Sequence, residues 1–192
     1  YHDIINLYLP KVMDKLNDIG SERAVLAGLV QHGIDGYITI ADIISSETFA
    51  NTNNQIIYKC IKHCIDEDMK IDVSTILSSA KQLNLLESVN TEQELKYIKS
   101  LSNFPIQREN IINFAAQIKK FEFARKIQKL TTKIHQDVGK VNGTEKIDEI
   151  IALLENPVTD FLREDDGGEN PEKIGEEVED YVQFLSENKC DI

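Results

Sequence analysis

A chain of 192 residues can bury one good core, or a core with an extended appendage. Hydrophobic content of 41% and charged content of 28% are those of a soluble globular protein, and the absence of Trp with few Gly and Pro favours helix over a β-sandwich. A formal net charge of −12 argues against general affinity for DNA, RNA or an anionic membrane.

In chain order, Asp3 to Ile19 carries Ile5, Tyr8, Val12, Leu16 and Ile19 at helical spacing, with Pro10 suited to a first helical position. Gly20 is expected to end that helix. Ser21 then caps SERAVLAGLVQH, whose Ala24, Val25, Ala27, Gly28 and Leu29 form a close-packing face, and Gly33 stops it. A short helix is expected from Ile38 to Ile44. From Asn54 to Glu67 the apolar set Ile57, Tyr58, Ile61, Cys64 and Ile65 repeats at three and four, which predicts a central helix. The turn Asp66-Glu67-Asp68 leads to Ile71-Asp72, where Asp72 caps a helix through Ile76, Leu77 and Leu83. Leu85-Leu86 closes against it, and Thr91 to Leu101 adds another helix with Leu95, Ile98 and Leu101. Pro105 breaks the chain.

From Glu109 to Val138 neither Gly nor Pro interrupts the sequence. A helix of about 30 residues spans about 45 Å at 1.5 Å per residue. Ile111, Phe114, Ile118, Phe121, Ile127, Leu130, Ile134 and Val138 mark one face of it. Such a length overruns a small core, so its first half is expected to close the head and its second half to pair with the next helix. After the turn signal GKVNG, that helix begins at Thr144 and bears Ile147, Ile150, Ile151 and Leu154. Pro157 is expected to end or bend it, with Val158, Phe161 and Leu162 extending the apolar face. The two helices make an antiparallel hairpin.

Composition then shifts. Glu164 to Asn170, EDDGGEN, has nothing to bury and reads as a flexible acidic linker. Asn170 caps a helix opened by Pro171, whose Ile174, Val178, Tyr181 and Leu185 step by four, three and four. A narrow stripe on an acidic helix behind a linker suits docking on another domain or subunit; folding back on its own chain is the alternative. The expected fold is all-α: a helical head (residues 1–104), a long antiparallel helical hairpin (105–162), a linker (163–170) and a separate amphipathic helix (171–188).

Charge follows the same division. Between Asp160 and Ile192 twelve acids face three bases, whereas between Pro105 and Lys140 eight bases face three acids. The basic stretch reads as a solvated face or as a docking surface for an acidic partner. The odd cysteine count, Cys60, Cys64 and Cys190, lacks framework spacing and points to a reducing compartment. The longest apolar run near the N-terminus, Ala24 to Val30, falls far below the roughly 18 residues of a membrane span. The expected location is the cytoplasm, without membrane partners. Asn142-Gly143-Thr144 matches a glycosylation sequon and reads here as a turn and helix cap.

Chemistry is sparse. Cys60, His63 and Cys64 have the i, i+3, i+4 spacing of a zinc half-site, but no second cluster completes four ligands, and core cysteines are the simpler reading. Asp66, Glu67 and Asp68 lack the Gly and bidentate Glu of a calcium loop. His2, His32, His63 and His135 are scattered, with no nucleophile motif beside them. With neither GxxxxGK[ST] nor GxGxxG, no catalytic residue, metal or cofactor is expected in this chain.

Three groups of residues keep a shared order. They are ERAVLAGLV; Phe49 with Ile57-Tyr58, Ile71-Asp72-Val73 and the stretch Leu83 to Val89; and Pro105, Asn110-Ile111, Phe114-Ala115 and Arg125. In these the chain resembles the N-terminal domain of DnaB-type replicative DNA helicases. It departs at Ala50, where the family usually has an aromatic, at Asn54 for His and at Phe114 for Tyr, with a few residues inserted near Glu92 to Glu94 and around Gln107. These departures suggest a divergent member.

The resemblance implies an all-α head and a hairpin, with neighbouring copies pairing through their hairpins into a collar on one side of a hexameric ring. The collar binds primase and in some systems a loader. ATP hydrolysis with Mg, strand translocation and most DNA contact belong to a RecA-like motor that follows, so the chain is expected to be a fragment of a longer protein. On this reading Ile118, Phe121, Ile127, Leu130 and Ile134, facing Ile147, Ile151 and Leu154, hold the hairpin and its contact with a second copy. Ile174, Val178, Tyr181 and Leu185 hold the linker helix on a neighbour. A helicase-binding domain of a primase, or another α-helical interaction module, is the alternative.

Overall fold

The computed structural model describes residues 16–165, and every regular element among them is helical. In order these are α1 (Ile19–Ile38), a 3-10 turn (Ser46–Thr48), α2 (Thr52–Asp66), α3 (Val73–Gln82), α4 (Leu86–Val89), α5 (Glu92–Leu101), α6 (Arg108–Val138) and α7 (Ile147–Asp165).

Most helix starts follow from local capping. Asp72 accepts from the amides of Ser74 and Thr75 at 2.8 and 3.0 Å, and its own amide donates to Thr75 Oγ1 at 2.9 Å, a reciprocal box that opens α3. Thr91 caps α5 through the Glu94 amide, and Asn51 caps α2 through the Asn54 amide.

The first helical boundary differs from expectation. Asp18, not Ser21, is the cap: its carboxylate accepts from the Ser21 amide at 3.0 Å and the Ser21 hydroxyl at 2.7 Å. That places Gly20 inside the first turn of α1 rather than at the end of a preceding helix. Most of the helix expected from Asp3 lies outside the described residues, and residues 16–18 are not helical.

Gly33 does break α1, with φ of 57° and ψ of −133°. Such a backbone costs a Gly little and any other residue much. Helical backbone resumes only to Ile38, and the helix expected from Ile38 to Ile44 does not form. Instead Thr39 Oγ1 donates back to the Gly36 carbonyl at 2.7 Å, and successive turns bury Ile40 and Ile44.

The core is built on α1 and α2. Val25, Leu26, Ala27 and Leu29 of α1 and Ile57, Tyr58, Cys60, Ile61 and Cys64 of α2 are buried, with Ile76 and Ala80 of α3 and Ile98 and Leu101 of α5 around them. α2 packs on α1, α3, α4 and the 3-10 turn, the central place its apolar spacing predicts. The early part of α6 closes this core with Ile111, Ala115 and Ile118. A Cβ at Gly28 would lie 2.6 Å from Ile111 side-chain carbons, so the absence of a side chain on α1 lets Ile111 sit there.

The described residues divide into two compact units between Lys126 and Ile127. The first holds the head and the first part of α6; the second holds the rest of α6, an eight-residue connection and α7. In the connection the Glu145 carboxylate accepts from the amides of Asn142 and Gly143, and helix starts only at Ile147, three residues after Thr144. Pro157 lies within α7 without ending it, since a proline removes only one amide donor from a ladder that resumes beyond it. α7 continues to Asp165, three residues into the stretch read as linker. The rest of that linker and the helix expected at 171–188 lie outside the described residues. Among the described residues no helix is long and apolar enough to cross a membrane.

Candidate interaction surface

A polar seam fixes α6 to the head. Glu22 on α1 is 1% exposed, and its carboxylate accepts from the Ala50 amide at 2.7 Å, the Asn51 amide at 3.4 Å and Asn54 Nδ2 at 2.8 Å. These bonds hold the chain entering α2. From the other side, Thr48 Oγ1 donates to Glu122 of α6 at 2.8 Å. Glu122 is also paired with Lys119 at 3.0 Å and Lys126 at 3.1 Å. Burial pushes the Glu122 carboxyl up, but Thr48 and the two lysines outweigh it and hold its pKa below the usual value. Arg125 completes the seam by donating to the carbonyls of Leu16, Glu47 and Thr48 at 2.9, 3.2 and 2.8 Å. Every member of this group is engaged in holding backbone or another side chain, which makes it a clamp.

Other residues with chemical potential serve packing. Cys60 and Cys64 are both buried in the core; Cys64 Sγ lies 3.1 Å from Ser79 Oγ, and burial pushes the Cys60 thiol up to about 11. That favours the protonated, inert thiol. Asp66 pairs with Lys62 at 2.8 Å. No group of three or more His, Cys, Asp or Glu among the described residues is placed to hold a metal ion.

The apolar residues singled out from sequence fall into distinct environments. Ile118 is 1% exposed and belongs to the head core, and Phe121 beside it is half-buried. In the second unit Leu130 and Ile134 are half-buried and Ile127 is 40% exposed. On α7, Ile147, Ile151 and Leu154 stand open at 76%, 45% and 53%. Leu162, not among the expected site residues, joins them at 55%. At 3.6 residues per turn these four side chains fall within about 80° of one another, a single apolar face. Leu162 was identifiable from its i+8 spacing to Leu154. Ile174, Val178, Tyr181 and Leu185 lie outside the described residues.

The class defined by fold and surface is an all-helical domain, with a clamped head and an exposed apolar face on its last described helix. The chain belongs to the DnaB-like helicase N terminal domain family, whose model matches residues 14–120. It is similar to the replicative DNA helicase DnaB of Buchnera aphidicola subsp. Baizongia pistaciae (strain Bp), at 26% identity over 126 residues. That match takes in 66% of this chain and 26% of the relative, so the chain spans about a quarter of the length of the curated relative it matches. The crystal structure of the N-terminal domain of DnaB helicase from Mycobacterium tuberculosis shares the fold. Its TM-score is 0.62 at 17% identity, over 75% of this chain and 97% of that one.

Proposed function

We propose that this chain is the non-catalytic collar of a ring-forming replicative DNA helicase. It supports ring assembly by self-association and recruits primase or a loader in the cytoplasm, while ATP, Mg and DNA are handled by a motor elsewhere in a longer protein. The observation that carries this reading is the exposed face Ile147, Ile151, Leu154 and Leu162. A row of large apolar side chains on one helix face is costly in water and is relieved by burial against a partner. The simplest partner is a second copy presenting the same row, because a two-fold contact uses one patch on both subunits.

Sedimentation of the full chain and of Leu154→Asp tests this. The unsubstituted chain is expected to self-associate in a concentration-dependent way. Leu154→Asp is expected to be monomeric with the far-UV spectrum and head melting temperature unchanged. Equal association of the two forms would sink the reading. Retention of purified primase by the dimeric form tests the recruiting role separately.

A further inference from the structure

The connection between α6 and α7 contains Asn142-Gly143, the one Asn-Gly pair of the sequence, and Asn142, Gly143 and Thr144 are all exposed. Gly143 has φ of 91°, a backbone that a Gly takes without steric cost. Having no Cβ, Gly143 also leaves its backbone nitrogen open to the Asn142 side chain. Attack of that nitrogen on Asn142 Cγ closes a five-membered ring.

Three hydrogen bonds meet the two reacting groups. The Gly143 amide donates to Glu145 Oε2 at 3.0 Å, within reach of a base that takes its proton. Asn142 Oδ1 accepts from the Thr144 amide at 3.1 Å and from Thr144 Oγ1 at 2.8 Å. Two donors on one amide oxygen stabilise the negative charge that develops there when a nucleophile adds to the carbon. Glu145 is a carboxylate at neutral pH, because hydrogen bonds from backbone amides, its own first, hold its pKa below the usual value. Nucleophile, electrophile, base and oxyanion donors thus lie within four consecutive residues that water reaches.

We propose that Asn142 is a self-modification site, where Gly143, Thr144 and Glu145 promote its conversion to aspartate and isoaspartate. The Gly143 amide proton passes to Glu145 as the nitrogen lone pair bonds to Asn142 Cγ. The bond from Cγ to Nδ2 then breaks, and Nδ2 takes the proton back from Glu145 and leaves as ammonia. A succinimide remains. Water adds to either ring carbonyl and opens the ring, with nothing oxidised or reduced. Both products add one negative charge to the connection, and isoaspartate also adds a methylene to its backbone.

The same hydrogen bonds would have the opposite effect if they locked the loop against attack, and rates on the full chain separate the two. Conversion at Asn142 is followed at neutral pH by peptide mass and by isoaspartate content, in the folded chain and in the same chain unfolded in urea. The folded chain is expected to convert faster. Glu145→Gln keeps an acceptor for the Gly143 amide but is no base at neutral pH. It is expected to slow the folded chain by at least about tenfold and to leave the unfolded rate unchanged. Thr144→Ala, which removes one of the two donors, is expected to slow the folded chain by about tenfold. Far-UV spectra check that both variants keep their helices. A folded chain that converts no faster than the unfolded one, or an unchanged or raised folded rate in either variant, overturns the proposal.

Discussion

Glu122 shows how one charged side chain can be structural. At 4% exposure it is among the most buried acids of the described chain, and it is tolerated because a hydroxyl and two ammonium groups meet it. Its pKa is lowered in the folded state from the ordinary 4.5, so the folded carboxylate binds protons less readily than the unfolded one. Stability from this group is therefore complete above about pH 4.5 and is lost as pH falls through the lower folded pKa. Glu122→Gln is expected to be less stable than the unsubstituted chain at pH 7, and the gap is expected to narrow steadily below pH 4.5. Urea unfolding midpoints at several pH values measure it; a gap constant with pH contradicts the linkage.

The burial of Glu122 and of Glu22 does not show in the apolar spacing, which registers hydrophobic positions only. The partner that buries Glu122, Thr48, lies 74 positions away. A faint local signal exists: Glu122 stands between Phe121 and Phe123, with Lys119 and Lys126 three before and four after it, where helix neighbours reach it. Asn54 is the converse case. Read from sequence as a substitution for the usual His, it is 2% exposed and bonded to Glu22, so its visible work is to hold the start of α2 to α1.

At the scale of the element, local chemistry carries most of the fold. α2, α3 and α5 are recoverable from apolar spacing, and the start of α3 from Asp72 as its cap, because both signals act within one turn of the chain. The four-residue α4 is expected only as Leu85-Leu86 closing against α3, and Thr91, expected inside α5, is its cap. The failures occur where two local signals compete. Asp18 and Ser21 are both good caps, and the winner is the one whose carboxylate takes both the amide and the hydroxyl of the other. At Ile38 to Ile44 the i, i+4 spacing of Ile40 and Ile44 looks helical, but Thr39 bonds back to Gly36 and turns deliver the same two side chains to the core.

The cap on α3 gives the clearest element-scale prediction. Asp72→Ala removes the acceptor of the Ser74 amide, the Ser74 hydroxyl and the Thr75 amide and should lower stability by about 1 kcal/mol, with Asp72→Asn recovering most of it. The readout is the urea midpoint at constant m-value. A loss equal for Ala and Asn would point to charge rather than capping.

At the scale of the whole molecule, apolar residues that close a core and apolar residues left open read alike in the sequence, and burial alone separates the two. Ile118 and Leu154 have the same chemistry and the same helical spacing; one is 1% exposed and the other 53%. What distinguishes them is where the core ends, a property of the assembled head that spacing along one helix does not encode. The length of α6 is the visible trace of that ending, since 31 helical residues exceed what the head buries.

The four, three and four spacing of Ile174, Val178, Tyr181 and Leu185 predicts a second apolar contact on a different stretch of the chain from the α7 face. Under the proposed collar function the two contacts do separate work. On that proposal the α7 face pairs copies within the collar, and the later stripe ties each copy to a neighbouring subunit of the ring. In the longer parent protein that the proposed function calls for, Val178→Asp places a charge in the middle of the later stripe, where burying it would be costly. Ring assembly measured by gel filtration is expected to fall sharply, while the head keeps its melting temperature. Leu154→Asp in the same parent is expected to weaken collar pairing. Combining the two should weaken assembly more than either alone, since the contacts share no residue. Hexamers of unaltered size and yield from Val178→Asp would mean that the stripe docks on nothing the ring requires.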